Sequence, residues 1–222
     1  MYKRQEHGIV GSTLGPLFRH AVETGKRART DTAIGRGIAS VSQAAVALAT
    51  EQLGGLDGRT VLVLGAGEMA EGTVKSLAAA GTSDIFVANR TWDNAVALAE
   101  ACGGTAVNLD AVGDALVAVD MLVTTTGAQQ LILESGEIAG FLSRRNGREL
   151  VIVDVAVPRD VDPRAGELPG VTLLDMDDIG VFVEQQMATR TRVVGNVETI
   201  VGEEVDRYRT VTSAREVAPL IA

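Results

Sequence analysis

The sequence predicts an α/β protein built on a doubly wound parallel sheet, with helical extensions at both ends. From residue 60 onward, short apolar runs alternate with helix-like stretches, as in a parallel sheet that is covered on both faces. The first of these runs passes directly into the turn Gly65-Ala66-Gly67. The composition agrees, because 46% of the chain is hydrophobic but only 3% is aromatic, which suits closely packed layers of helix and strand.

Each element follows from a local pattern. Continuous apolar runs predict strands, and apolar residues at three- and four-residue spacing predict the helices between them. The predicted strands are 60–64, 84–88, 105–108, 120–124, 150–153 and 171–174. The helices predicted between them are 68–80, 93–101, 110–118 and 135–143. In such a sheet the ligand crevice lies beyond the carboxyl ends of the strands, where the strand order reverses.

Further helices are predicted on either side of the sheet. The first covers residues 12–24 and is expected to end at Gly25, with one apolar face made of Leu14, Leu17, Phe18, Ala21 and Val22. A second is predicted over 38–52. After residue 177, apolar residues recur at helical spacing with no proline before Pro219, which predicts one helix over 178–209, roughly 45 Å long. The apolar stripe of this helix packs either across domains or against a second subunit. The alternative is that the helix folds back on the sheet of its own chain.

The turn after the first strand has the features of a phosphate-binding site. Gly65 permits a tight turn, Gly67 lets the main chain approach a pyrophosphate, and Ala70 keeps the new helix close to the sheet. The amino end of that helix offers free N–H groups to an anion. The G-x-G-x-x-A pattern between a strand and a helix predicts a Rossmann-type dinucleotide site, and a purely structural turn is the alternative. The candidate contact residues are Gly65, Ala66, Gly67, Glu68, Met69 and Ala70, although the Glu68 carboxylate is expected to face outward or to contact another domain.

The residues after the second strand indicate which dinucleotide binds. An NAD-selective site places Asp or Glu about 20 residues beyond the glycines, to accept from the ribose 2′-hydroxyl. This chain has Asn89, Arg90 and Thr91 there instead. A guanidinium matches a 2′-phosphate with a fork of donors, so these three residues predict NADP(H). The alternative is that Arg90 is only a solvated loop residue.

Two later strands end in further candidate residues. Thr125, Thr126 and Gly127 follow the strand at 120–124, where hydroxyls and a bare backbone suit ribose and pyrophosphate, although a threonine-rich turn without a ligand is equally compatible. Pro158 follows the strand at 150–153, near the expected nicotinamide position. The neighbouring Arg159 either holds a substrate carboxylate or pairs with Asp160 or Asp162, and the structural pairing is favoured.

Composition excludes several other classes of function. A single cysteine, Cys102, rules out an intrachain disulfide and any cysteine-rich metal site, and it lacks the basic neighbour that activates a nucleophile. A net charge of −9 argues against a surface that coats nucleic acid. No apolar stretch approaches the roughly 20 residues that span a membrane. We therefore predict a soluble, cytoplasmic chain, and we predict neither a catalytic residue nor a metal ligand within it.

Several stretches together resemble the glutamyl-tRNA reductases of bacteria, over roughly residues 8–221. The similar segments are 17–18, 25–32, 39–46, 65–69, 89–91, 125–128 and 153–163. The resemblance implies NADPH-dependent reduction of glutamyl-tRNA to glutamate-1-semialdehyde, the first step of five-carbon tetrapyrrole (porphyrin) biosynthesis. It also implies that a cysteine of an N-terminal catalytic domain first takes the glutamyl group as a thioester. The shikimate dehydrogenases share the glycine turn and the Asn-Arg-Thr segment, but not the segments at 25–46 or 153–163.

The resemblance also implies how the chain is organised. Residues 1–33 correspond to the tail of the catalytic domain and a linker, 34–177 to the NADP-binding domain, and 178–222 to the start of a dimerisation domain. The chain is therefore expected to be a fragment that binds NADPH without turning over substrate, and the full-length protein a homodimer through the long helix. The basic cluster Lys26, Arg27 and Arg29 either contacts tRNA phosphate or is a solvated face.

Two other functions remain open. The chain could be a non-catalytic module for NADP binding and oligomerisation, which a true start codon at Met1 would favour. It could also be an oxidoreductase like shikimate dehydrogenase. That chemistry needs a Lys–Asp pair beside the nicotinamide, and Lys75 lies on a predicted helix instead.

Overall fold

The computed structural model describes residues 14–32, 34 and 40–217, without the side chains of 189–192 and 213–217. The chain divides into two compact units. Residues 38–184 form one unit, and the stretches on either side of them form the other. The predicted domain bounds at 33/34 and 177/178 stay predictions. The predicted start of the first helix, at residue 12, lies outside the described residues.

The unit of residues 38–184 is built on a parallel sheet of six strands in the order β3-β2-β1-β4-β5-β6. This is the doubly wound Rossmann order, so the predicted fold class is confirmed. The switch in strand order lies between β1 and β4 and places a crevice at the carboxyl ends of these strands. The strands are β1 (Thr60–Leu64), β2 (Asp84–Ala88), β3 (Thr105–Val107), β4 (Met121–Thr124), β5 (Leu150–Asp154) and β6 (Val171–Leu174).

Helices cover both faces of the sheet because alternate strand residues point to opposite sides. Val61 and Val63 of β1 join one apolar core, with α2 (Val41–Leu53), α3 (Glu68–Ala79) and α4 (Trp92–Cys102). Leu62 and Leu64 join the other core, with α5 (Val112–Ala118) and α6 (Ser135–Leu142). Two short 3₁₀ helices, Leu109–Ala111 and Pro163–Glu167, were not predicted as such.

The helix α1 (Leu14–Asp31) continues through Gly25, so its predicted end there was wrong. A glycine inside a helix costs only about 1 kcal/mol relative to alanine. Residues beyond it supply contacts that offset this cost: Ala28 is buried, and Arg27 pairs with Glu203 and Glu204. The apolar face predicted for this helix is largely exposed, since Leu14, Leu17, Phe18 and Val22 are 38–51% accessible.

The last helix, α7 (Met176–Val217), is longer than predicted. In the unit that holds α1, its residue Glu204 is almost buried and lies at the centre of a charged cluster. The Glu204 carboxylate accepts hydrogen bonds from Arg27 at 3.0 Å and from Arg207 at 3.3 Å. His20 Nδ1 lies 3.7 Å from the same carboxylate, and its ring meets Tyr208 edge-on. These contacts join α1 to α7 within that unit.

Candidate functional site

A cavity of about 490 Å³ opens at the carboxyl edge of the sheet and brings together three segments that are far apart in the sequence. They are the glycine turn after β1, the residues after β2 and the loop after β4. Of the predicted site residues, the cavity is lined by Gly65, Ala66, Gly67, Asn89, Arg90, Thr125, Thr126 and Gly127. Its remaining lining residues are Leu64, Leu109, Ala128 and Ile132.

The glycine turn has two glycines with different physical requirements. Gly65 has φ +118°, a conformation that side chains rarely adopt, and a Cβ there would overlap Thr125 Oγ1. Its N–H donates to the Ala88 carbonyl at 2.8 Å, which fixes the turn against β2. Gly67 is extended (φ −91°, ψ −173°), and among the described residues a Cβ there would meet nothing within 4 Å. Gly65 is therefore required by the fold, whereas Gly67 leaves space in the cavity.

Gly67 is also the N-cap of α3, so the first N–H groups of this helix face the same region. Its cap lacks a side chain, and its carbonyl accepts from Glu71 N–H at 3.0 Å. An anion at this helix end gains both hydrogen bonds and the helix dipole. The backbone at this helix end forms a cradle, and a Cβ at Gly67 would fill its open space. Such a cradle fits a pyrophosphate.

Asn89 and Arg90, which follow β2, line the cavity beside the glycine turn. The Asn89 amide donates to the Thr91 carbonyl at 3.0 Å, which orders the segment after β2. Arg90 is exposed and neither pairs with a carboxylate nor donates a hydrogen bond within the described part of the chain. It is the charged residue in the cavity lining. An unpartnered guanidinium at this position can receive a phosphate.

The loop after β4 is held by a buried carboxylate. Thr126 donates to Asp160 through both its N–H, at 2.9 Å, and its hydroxyl, at 2.5 Å. Asp160 is completely buried, and its own N–H donates to Asp154 Oδ2 at 3.0 Å. Burial raises the pKa of Asp160, the Thr126 hydrogen bonds act to lower it, and the nearby Asp154 carboxylate raises it further. The site therefore rests on two adjoining buried carboxylates.

Five predicted contact residues do not line the cavity: Glu68, Met69, Ala70, Thr91 and Pro158. Ala70 is fully buried against the sheet, as expected for close packing of the helix. The Met69 carbonyl accepts from Thr73 at 2.9 Å and from Ser42 at 3.3 Å. Glu68 is exposed in the first turn of α3, and Pro158 follows a cis peptide bond. The cofactor roles given to all thirteen predicted residues stay predictions.

Sequence reasoning assigned no role to Leu109 or Ile132, and it considered Asp160 only as a partner of Arg159. Leu109 follows β3 closely, as Arg90 follows β2, so the rule that sites lie at the carboxyl ends of strands could have found it. Asp160 has no such signal, because its role depends on a hydrogen bond to a residue 34 positions away.

The predicted partners of Arg159 were wrong. Its guanidinium pairs with Asp175 at 2.8 Å and Asp177 at 3.4 Å, because Asp160 and Asp162 are engaged elsewhere. The Asp162 carboxylate is bound by the Arg164 guanidinium, which holds the pKa of that carboxyl well below its usual range.

Two other features that the sequence singled out are not among the cavity's lining residues. Cys102 ends α4 and its thiol donates to the Ala99 carbonyl at 3.3 Å. In the basic cluster at 26–29, Arg27 is held by Asp31, Glu203 and Glu204. No group of three or more His, Cys, Asp or Glu residues suited to a metal occurs in the described ranges. None of the helices described is both long and apolar enough to cross a membrane.

Comparison with known proteins gives a consistent set of similarities. The sequence model of the Shikimate / quinate 5-dehydrogenase family matches residues 47–181. The glutamyl-tRNA reductase of Pelotomaculum thermopropionicum is 40% identical over 217 residues, which is 98% of this chain and 49% of that protein. That of Syntrophus aciditrophicus is 39% identical over 97% of this chain and 51% of its own length.

Among solved structures, the glutamyl-tRNA reductase of Methanopyrus kandleri matches with a TM-score of 0.87 at 35% identity. The match covers 99% of this chain and 56% of that one. The chain thus spans about half the length of the curated relatives it matches.

Proposed function

The chain belongs to the glutamyl-tRNA reductase family, with a domain of the Shikimate / quinate 5-dehydrogenase family at residues 47–181, and on that premise we propose that it is the NADPH-binding part of a glutamyl-tRNA reductase. The observation that carries this proposal is that the glycine turn, the Asn89-Arg90 pair and the loop after β4 all line the same cavity. These three segments match three of the groups of NADP(H): the pyrophosphate, the 2′-phosphate and the ribose on the nicotinamide side.

We assign each segment one part of the cofactor. The backbone at Gly65–Gly67 and the amino end of α3 hold the pyrophosphate. Arg90 receives the 2′-phosphate, which distinguishes NADPH from NADH. Thr125, Thr126 and Gly127 line the cavity beside β4 and contact the ribose on the nicotinamide side. Leu109 and Ile132 supply apolar surface. Bound NADPH supplies a hydride.

The activity we propose for the whole protein is reduction of the glutamyl group of glutamyl-tRNA to glutamate-1-semialdehyde. In this reaction a hydride adds to the carbonyl carbon of a cysteine thioester, and the thiolate leaves as the aldehyde forms. Cys102 is the one cysteine of the chain, and it does not line the cavity. The acyl-accepting thiol therefore belongs to the portion that the matched relatives have beyond this chain. We place the protein in the cytoplasm, where its charged tRNA substrate is found.

A homodimer through α7 is part of the same proposal. Val194, Val201 and Val205 lie at seven- and four-residue spacing on this helix, and each is 41–42% exposed. This spacing is that of a coiled-coil seam, which a second copy of the helix would cover. Sedimentation of the chain and of Val201→Asp tests it. A lower mass for the variant supports the dimer, and a monomeric wild-type chain contradicts a dimer formed by this chain.

An oxidoreductase of the shikimate dehydrogenase type finds less support. Its chemistry needs a Lys–Asp pair beside the nicotinamide, and no such pair occurs among the described residues that line the cavity.

Calorimetric titration with NADPH and with NADH tests the cofactor assignment. We expect NADPH to bind at least about tenfold more tightly to the wild-type chain, because a guanidinium–phosphate contact contributes roughly 1.5–3 kcal/mol. Arg90→Asp should weaken NADPH about 100-fold and NADH much less. Lys75→Asp is the matched control, since this exposed side chain on α3 lies away from the cavity lining. Equal weakening of both cofactors in Arg90→Asp would refute the 2′-phosphate assignment.

A further inference from the structure

The loop after β4 is tied at both of its ends to one buried residue. At its start, Thr126 donates to the two side-chain oxygens of Asp160. At its end, the N–H groups of Ile132 and Leu133 donate to the main-chain carbonyl of Asp160, at 2.7 and 3.1 Å. Between these ties lie Gly127 and Ala128, which line the cavity, and the exposed residues 129–131. We infer that Asp160 is a positioning residue that holds the loop 125–132 in the shape that the cofactor requires.

Asp160 is itself fixed by a second carboxylate. Asp154, at the end of β5, accepts from the N–H groups of Asp160 and Val161 with one oxygen, at 3.0 and 3.1 Å. Its other oxygen accepts from the Thr124 hydroxyl at 2.9 Å and from Ala156 N–H at 3.1 Å. The hydrogen bonds thus run from the end of β4, through Asp154 and Asp160, back to the loop that follows β4. The side chains of Asp154 and Asp160 thus add to the main-chain bonds that hold the loop to the sheet.

The Thr126 contact is the weak point of this arrangement. Apart from it, the start of the loop is joined to the sheet by the Thr125 N–H and hydroxyl, which both donate to the Leu64 carbonyl. The Thr126 hydroxyl also accepts from Ala128 N–H at 3.2 Å, so this one side chain bonds both Asp160 and the next part of the loop. Hydrogen bonds to an ionised, buried acceptor are stronger than neutral ones. Loss of either partner should therefore free Gly127 and Ala128 at the cavity wall.

The experiment compares Thr126→Val, Thr126→Ser and Asp160→Asn with the wild-type chain. Valine removes the hydroxyl without changing the shape, serine keeps it, and asparagine removes the charge of the acceptor. Asp162→Asn is the matched control, because Asp162 is also nearly buried but bonds Arg164 and Ser135 instead of the cavity loop. Two quantities are measured: the NADPH dissociation constant, and the hydrogen exchange of the loop amides without cofactor.

The inference predicts a specific pattern. Thr126→Val and Asp160→Asn should each weaken NADPH about tenfold, Thr126→Ser should weaken it clearly less than Thr126→Val, and Asp162→Asn should stay close to wild type. The double variant Thr126→Val/Asp160→Asn should weaken NADPH by less than the two single effects combined, because both changes act on the same hydroxyl–carboxylate hydrogen bond. The amides of residues 126 and 128 should exchange about tenfold faster, and those of Ile132 and Leu133 less so, since these two bond the main chain of Asp160.

The inference rests on the proposed function only for the identity of the ligand, and the two readouts separate the two ideas. A wild-type chain that fails to bind NADPH contradicts the proposed function, and the exchange rates then decide the role of Asp160 alone. Unchanged exchange at residues 126 and 128 in Thr126→Val overturns the inference. If the wild-type chain binds NADPH, an unchanged NADPH affinity in Thr126→Val overturns it as well. If Asp160→Asn does not fold, the Val and Ser variants of Thr126 give the answer.

Discussion

The two glycines of the turn after β1 should respond differently to the same substitution, Gly67→Ala losing only ligand affinity and Gly65→Ala also losing stability. At Gly67 the backbone is extended, and an added Cβ meets no described atom within 4 Å. Gly67→Ala should therefore fold normally with little net change in stability, because the gain of about 0.4–1 kcal/mol from a less flexible unfolded chain is offset by alanine being a poorer N-cap than glycine by a similar amount. Its methyl group, about 1.5 Å from Cα, would project into the space that we assign to the pyrophosphate.

The expected loss of affinity follows from the contacts that the methyl group would prevent. Each hydrogen bond from a backbone N–H to a charged phosphate contributes about 1.5–3 kcal/mol, so losing one weakens NADPH at least about tenfold and losing two at least about 100-fold. NADH should be weakened equally, because it carries the same pyrophosphate. This equality distinguishes Gly67→Ala from Arg90→Asp.

At Gly65 the same substitution should lower the stability of the fold as well as block the ligand. Alanine at φ +118° is strained, and its Cβ would overlap Thr125 Oγ1 and approach the Thr125 carbonyl to 3.2 Å. Strain and overpacking together cost about 2–6 kcal/mol. For a unit of this size that lowers the unfolding midpoint by roughly 4–24 °C.

Thermal unfolding and NADPH titration of both variants provide the test. Tight NADPH binding by Gly67→Ala would refute the pyrophosphate assignment. A large loss of stability in Gly67→Ala, or none in Gly65→Ala, would refute the steric argument.

Three further perturbations test other parts of the structure. Arg145→Leu should lower stability by about 3–5 kcal/mol, because the buried guanidinium donates to the carbonyls of Leu116, Val119, Arg148 and Glu149; a denaturant titration close to wild type would contradict this. Glu204→Gln should speed hydrogen exchange in α1 more than Glu203→Gln, because Glu204 is nearly buried and Glu203 is exposed, and equal effects would contradict the central role of Glu204. Asp160 should make the fold more stable as pH falls from its raised pKa towards about 4, because over this range the folded state binds a proton that the unfolded state does not. Thermal unfolding of Asp160→Asn across the same pH range should lack this gain. A variant with the same pH dependence of stability as the wild type would contradict the expectation.

Much of the sheet could be predicted because its signals are local. The strands at 60–64, 84–88 and 171–174 have the predicted bounds, since each is a short apolar run set off by polar or glycine residues. The predicted end of α1 was wrong, and the error has a physical cause. Gly25 is only a weak helix breaker, and the contacts of Arg27 with a helix about 175 residues later outweigh it.

The sequence by itself determined the parallel sheet, the glycine turn and the likeness of the cavity's three segments to a dinucleotide site. These features depend on spacing within a few residues and on the rule that parallel strands end at one edge. Only the tertiary structure decided that Gly65 is packed against Thr125, that Arg159 pairs with Asp175, and that Asp160 supports Thr126. A carboxylate has no preferred partner in the sequence. Its partner is set by which donor reaches it once the chain is folded, and burial then makes that hydrogen bond strong.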